Sequence, residues 1–148
     1  MIDEYKFYNK IFEELFHVHR SIAGPGLRKI LKIINKYIKI KISSIPSGKK
    51  IFDWTVPNEW ELLSGYIKFN NKIIVDGKKN NLSVINGSSS VKKYLNLSEL
   101  KKNIYTHPLL KNATPYVTSY YKKNWGFCMS ENKKKKLKKG RYYVEIKT

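Results

Sequence analysis

The sequence predicts a mixed chain, α+β when taken alone, with a helical pair at its start and a small β-rich region after it. Three observations predict this. Apolar residues recur every three or four positions up to Tyr37, they alternate with polar residues from Ile38 onward, and turn dipeptides then punctuate the chain at short intervals.

Residues 3–19 place Tyr5, Tyr8, Phe12, Leu15, Phe16 and His19 on one helical face. Asp3 and Glu4 in the first turn suit the positive end of the helix dipole. Gly24 and Gly26 flank Pro25, a start signal for a second helix whose stripe is Leu27, Ile30, Leu31, Ile34 and Tyr37. Ile38, Ile40 and Ile42 then alternate with lysines and predict a strand. Pro46-Ser47-Gly48 marks a turn, IFDWTV predicts a strand, and Pro57-Asn58 interrupts it. Both Trp54 and Trp60 are expected to be buried in the β-rich region.

EWELLSGYIKF and KIIVDG predict two strands joined at Asn70-Asn71. Asp76-Gly77 marks a further turn, and NLSVIN predicts one more short strand. Ser98 suits the cap of a short helix carrying Leu100 and Ile104, ended by His107-Pro108. PYVTSYYKKNWGFCMS returns to strand-like composition, and Ser130 to Leu137 predicts a lysine-rich helix closed by Gly140. In RYYVEIKT, Tyr142, Val144 and Ile146 alternate as a buried strand should, yet nothing follows Thr148 to pair or cover it. The sequence therefore predicts a chain cut short, or one completed by a second polypeptide.

Composition narrows the function classes. With 41% hydrophobic and 14% aromatic residues the chain is globular in character and not disordered. Its apolar runs fall far short of the ~20 residues a membrane-spanning helix needs, and its acidic, amphipathic start is unlike a secretion signal. The single cysteine excludes an internal disulfide and fits a reducing cytoplasm, where the protein is expected. The net charge of +19 invites a nucleic-acid reading, but of 30 basic residues only Arg20, Arg28 and Arg141 carry the guanidinium fork that base and phosphate recognition favours. Enrichment in Lys, Ile and Asn is what an AT-rich genome supplies, so most of this charge is expected to be solvated surface.

The stretch YYKKNWGFC at 120–128 concentrates the chemical alternatives. His17 and His19 lie on different faces of a helix and His107 is distant, so no zinc-ligand spacing is present. Cys128 sits in an apolar context that raises a thiol pKa and makes it inert as a nucleophile. Asp53, Glu59 and Glu61 cluster around two tryptophans, where a carboxylate could act as an acid, but turn hydrogen bonding and core packing explain them as well. Tyr120, Tyr121, Trp125 and Phe127 with Lys122 and Lys123 could stack single-stranded bases. Adjacent tyrosines of a strand point to opposite faces, however, so packing is the better reading. No GxxxxGK[ST], GxGxxG or HExxH pattern is present.

Four stretches, in order, resemble a bacterial family of zinc aminopeptidase-like proteins labelled as domains of unknown function. They are RSIAGPGLRKIL at 20–31, IPSGKKIFDWTVPNEWEL at 45–62, TPYVTSYYKKNWGFCMS at 114–130 and LKKGRYYVEI at 137–146. The strings DWTVPNEW and SYYKKNWGFC are specific, and together the stretches span nearly the whole chain. The family looks related to di-zinc exopeptidases that include glutamate carboxypeptidase and bacterial leucyl aminopeptidases, and its members are far longer than this chain. The resemblance implies the start of an α/β di-zinc aminopeptidase-like fold, with a β-rich domain inserted near the N-terminal end and a winged-helix segment at the C-terminus.

The resemblance places residues 1–44 as the N-terminal helices and first strand of that core. It makes 45–129 the β-rich insertion, and 130–148 a helix and strand leading back to the catalytic part. It implies two zinc ions and a peptide-like substrate for the complete protein, and a link to surface-polysaccharide genes. The family's presumed metal ligands, a His-Pro motif followed by an Asn-Asp pair, have no matching position in residues 1–148. His107-Pro108 stands before YYKKNWGFC instead of after it, so it is not equated with that motif. The chain alone is therefore expected to hold no zinc and to lack catalytic residues, with the remainder of the fold as its partner. Tyr120, Tyr121 and Trp125 are the candidate cleft-lining residues. A stand-alone basic module for single-stranded nucleic acid or other polyanions is the alternative, and a homo-oligomer stays open.

Overall fold

Residues 4–148 are described by the structure, a computed structural model, and Asp3 lies outside them. The chain divides into two compact units, one ending at Glu61 and one running from Leu62 to Thr148. Within this chain, residues after 130 contribute a strand to the same sheet as residues 64–96.

The first unit holds the expected helical pair, α1 (Glu4–Phe16) and α2 (Pro25–Ile34). Pro25 occupies the first turn of α2, after Gly24 at φ 126°. A Cβ on Gly26 would lie 2.1 Å from the backbone oxygen of His19, so only glycine permits this close approach. The aromatic stripe of α1 is not the buried one. Tyr5, Tyr8, Phe12 and Phe16 are between 49% and 75% exposed. Leu15 packs instead against Val18, Ile30 and Ile33, and the Phe7 ring meets Tyr37 edge-on at 5.5 Å. Two apolar stripes run along α1, and α2 covers one of them.

Two further expectations fail in this unit. Residues 38–42 form no strand, and Ile38 and Ile42 are exposed. Alternation makes a strand only where a neighbour completes the hydrogen-bond ladder. IFDWTV is a tight hairpin instead of one strand: β1 (Lys50–Ile51) pairs with β2 (Trp54–Thr55) across a turn with Phe52 at φ 53°. Two-residue strands offer no surface large enough to cover an indole. Trp54 is 44% exposed, Phe52 is 93% exposed and Trp60 is half-buried, so the expected burial of both tryptophans in the β-rich region is corrected.

The second unit is built on a four-stranded antiparallel sheet. Its strands are β3 (Ser64–Phe69), β4 (Lys72–Asp76), β5 (Val91–Asn96) and β8 (Arg141–Lys147), in the order β4-β3-β8-β5. Asn70 and Asn71 both take positive φ, 49° and 60°, the two-residue turn the sequence predicts. The final strand, expected to be left open, is interior. It pairs with β3 from Ser64↔Lys147 to Phe69↔Tyr142, and with β5 from Val91↔Ile146 to Asn96↔Arg141. Its partners come from earlier in the chain, which a reading of the terminus alone does not reveal.

Tyr142, Val144 and Ile146 face inward as the alternation predicts, and pack with Ile67, Leu95 and Phe127. α3 (Leu97–Lys102) is capped by Asn96 and not by Ser98. The Asn96 side chain accepts from the Glu99 N–H, and the Glu99 carboxylate accepts from the Asn96 N–H, both at 2.9 Å. Ile104 leaves the helix for β6 (Ile104–Tyr105), which runs parallel to β7 (Phe127–Cys128). NLSVIN is buried at Val84 and Ile85 but forms only isolated bridges, Val84↔Phe127 and Asn86↔Thr118. α4 (Glu131–Lys135) starts where expected, with the Ser130 hydroxyl accepting from the Lys133 N–H at 3.2 Å.

Candidate functional site

The string YYKKNWGFC has two fates. Phe127 and Cys128 are core, at 0% and 1% exposure, whereas Tyr121 is 71% exposed. Tyr120 and Tyr121 form a ring pair at 5.9 Å. Trp125 occupies another environment: it packs against the core cluster beneath the Lys93 ammonium, 4.8 Å from its ring centre. Asn124 donates to the Tyr105 hydroxyl at 2.9 Å and tethers this segment to β6.

The residues considered for bond-making chemistry sit in environments that serve the fold. Cys128 borders a cavity of about 470 Å³ beside β4, but burial pushes its thiol up to about 12, which suppresses the thiolate. The His107 ring accepts at Nδ1 from the Leu109 and Leu110 N–H groups at 3.2 and 2.9 Å, closing a turn. His17 lies edge-on to Phe16 and His19 beside Trp60. Glu59 is engaged by the Arg28 guanidinium through both carboxylate oxygens, which holds its pKa below the usual carboxylate range. Among the described residues no three His, Cys, Asp or Glu side chains gather as a metal site, so the residues present do not fit the zinc centre the family resemblance implies.

The outer face of the sheet is a different matter. Register places Tyr66, Glu145 and Lys92 in one row across β3, β8 and β5, and Lys68, Tyr143 and Tyr94 in the next. The Tyr143 and Tyr94 rings are 5.0 Å apart, and Tyr66 and Tyr143 are 6.1 Å apart. The Lys68 ammonium lies 5.0 Å from the Tyr66 ring centre and the Arg141 guanidinium 4.3 Å from that of Tyr94. The Tyr143 hydroxyl donates to Glu145 and raises its own pKa by doing so. The same bond, helped by Tyr66, Lys92 and Lys68, holds the Glu145 carboxyl below the usual carboxylate range.

This face carries a cavity of about 640 Å³, and a second of about 840 Å³ lies over β5 and the start of α3. Tyr94 and Arg141 line both cavities. Sequence reasoning missed this cluster. Its members come from strands scattered between residues 66 and 145, and the sequence of β5 does not show a strand pattern.

Residues 59–148 match the family described as "Domain of unknown function (DUF2172)". The chain belongs to this family. The DUF2172 match covers the whole second unit and therefore the tyrosine-bearing sheet. The chain is also 47% identical over 141 residues, 94% of its length, to a Clostridium acetobutylicum protein named "Putative polysaccharide biosynthesis protein with aminopeptidase-like domain". A crystal structure described as a putative peptidase from the same organism superposes with a TM-score of 0.89 at 44% identity, over 95% of this chain. The chain spans 32% of the first of these relatives and 33% of the second, about a third of each. The aminopeptidase-like resemblance seen in the sequence and the mixed helix-and-sheet fold with its two leading helices both hold. Among the described residues no helix is long and apolar enough to cross a membrane.

Proposed function

We propose that this chain is the N-terminal portion of an aminopeptidase-like protein of surface-polysaccharide biosynthesis. In this reading the remaining portion of the fold is its partner, carries the zinc ligands and cleaves a peptide-like substrate in the cytoplasm. The residues described above bind and position, and supply no bond-breaking group. The observation that carries the reading is the 47% identity over 94% of this chain to a relative three times as long, whose name includes an aminopeptidase-like domain.

The side-chain environments agree with that division of labour. The one thiol is buried with a raised pKa, the Glu59 carboxylate is spent on Arg28, and His107 closes a turn. Tyr120 and Tyr121 remain cleft-lining candidates in the complete protein, whereas Trp125 serves chiefly as packing.

The test is a dissection of the Clostridium acetobutylicum relative into the segment matching this chain and the remainder. Zinc measured by mass spectrometry is expected in the complete protein and in the remainder. Zinc retained by the matching segment and absent from the remainder would refute the reading.

A further inference from the structure

The outer face of the β4-β3-β8-β5 sheet has a chemistry that neither the core nor the aminopeptidase-like reading uses. Three cations, Lys68, Lys92 and Arg141, face one carboxylate, Glu145, so the patch is electropositive. Arg141 lies over Tyr94 with no carboxylate engaged among the described residues, which leaves its donor fork open. Glu145 offers the opposite polarity at the centre, a carboxylate that already accepts from tyrosine hydroxyls and can accept further donors. The surface therefore complements a ligand bearing both anionic groups and hydroxyl donors.

Two features select among such ligands. A single strand of nucleic acid stacks its bases on open aromatic faces. Here the rings of Tyr66 and Tyr94 are each covered by a cationic head, and the Glu145 carboxylate lies in the row between Tyr66 and Lys92, where it repels a phosphate backbone. A sugar acid needs no open ring face, because it uses the guanidinium for its carboxylate and the tyrosine and glutamate oxygens for its hydroxyls. The two cavities that share Tyr94 and Arg141, about 640 and 840 Å³, each fall within the ~300–1,000 Å³ typical of small-ligand sites. Side by side, they suit successive units of a chain better than one compact molecule.

We propose that this sheet face binds a stretch of acidic sugar polymer, with Arg141, seated over Tyr94, gripping a carboxylate, and the Tyr143 and Glu145 oxygens engaging sugar hydroxyls. The choice of a sugar polymer rests on the polysaccharide part of the proposed function. The requirement for anion and hydroxyl together rests on the geometry alone.

The experiment titrates the 148-residue chain calorimetrically with oligogalacturonate, with a neutral maltooligosaccharide of equal length, and with a short oligothymidylate. Saturable binding of the oligogalacturonate alone is expected. Arg141→Gln and Tyr94→Leu, both at exposed positions, should each weaken it by about tenfold, the first by removing a charge-assisted contact of roughly 1.4 kcal/mol and the second by removing the ring that seats the guanidinium. Lys122→Gln, in the loop before β7, should leave it unchanged. Melting curves confirm that each variant is folded. Equal affinity for the neutral sugar, tighter binding of the oligothymidylate, or indifference to Arg141→Gln and Tyr94→Leu would each overturn the proposal. If oligogalacturonate fails to bind while zinc partitions as expected in the dissected relative, this surface is refuted and the aminopeptidase-like reading stands. The reverse outcome, binding without that partition, supports the surface and removes the reading.

Discussion

Substituting Phe127 by Ala should cost this chain much of its stability, whereas Tyr121→Ala, six residues earlier in the same aromatic string, should cost almost nothing. Phe127 is fully buried, pairs with Ile104, bridges to Val84, and donates its N–H to the Asn103 oxygen at 2.9 Å. Truncating a core phenylalanine loses its transfer free energy and leaves a cavity, together ~3–5 kcal/mol. For a unit of this size each 1 kcal/mol moves the melting temperature by ~4–8 °C, so a drop of at least ~12 °C is expected. Tyr121 is 71% exposed, and truncation there should stay within ~0.5 kcal/mol. The assay is chemical denaturation followed by circular dichroism, with thermal melts in parallel. A loss under ~1 kcal/mol for Phe127→Ala, or equal losses for the two variants, would refute the division of this string into core and surface.

Other expectations follow from single environments. Gly26→Ala places a Cβ 2.1 Å from a backbone oxygen, so the start of α2 must shift at a cost of ~1–3 kcal/mol, measurable by the same denaturation; an unchanged midpoint would contradict the packing. Glu145 and Glu59 have folded-state pKa values depressed by Tyr143 and by Arg28, so they bind protons less readily folded than unfolded. Their stabilisation is present above the ordinary carboxylate value of about 4.3 and is lost as pH falls through the lower folded values. Melting temperature should therefore fall across that acidic window, and less steeply in Glu145→Gln; parallel profiles would count against the network. Cys128, pushed up to about 12, should react with an aromatic disulfide at mildly alkaline pH at least ~100-fold more slowly in the native chain than in denaturant. Comparable rates would show that the thiol is accessible.

What the sequence revealed was local. The Asn70-Asn71 turn, the Ser130 cap and the inward Tyr142, Val144 and Ile146 were legible because each depends on a few adjacent residues. β5 was not, because the pattern of VKKYLN is broken: Lys93 takes an inward register position opposite Val144, with its ammonium over Trp125, and Tyr94 faces out. Ile38, Ile40 and Ile42 misled for the converse reason, having the alternation of a strand and no ladder to join. The exposed aromatic stripe of α1 shows the same limit, since periodicity marks a face as apolar without saying whether anything covers it. The outer sheet face was the least legible. Tyr66, Tyr94 and Tyr143 become neighbours only when β8 inserts between β3 and β5.

The central proposal is that this chain is a portion of an aminopeptidase-like protein whose zinc ligands lie in the remainder of the fold. The most direct measurement is zinc content and hydrolysis of aminoacyl reporter substrates by the purified 148-residue protein, after equilibration with zinc and dialysis. The account predicts well under one zinc per chain and no cleavage above the blank, because no described cluster supplies the three or more ligands that an activating site needs. Stoichiometric zinc with turnover abolished by a chelator would contradict it.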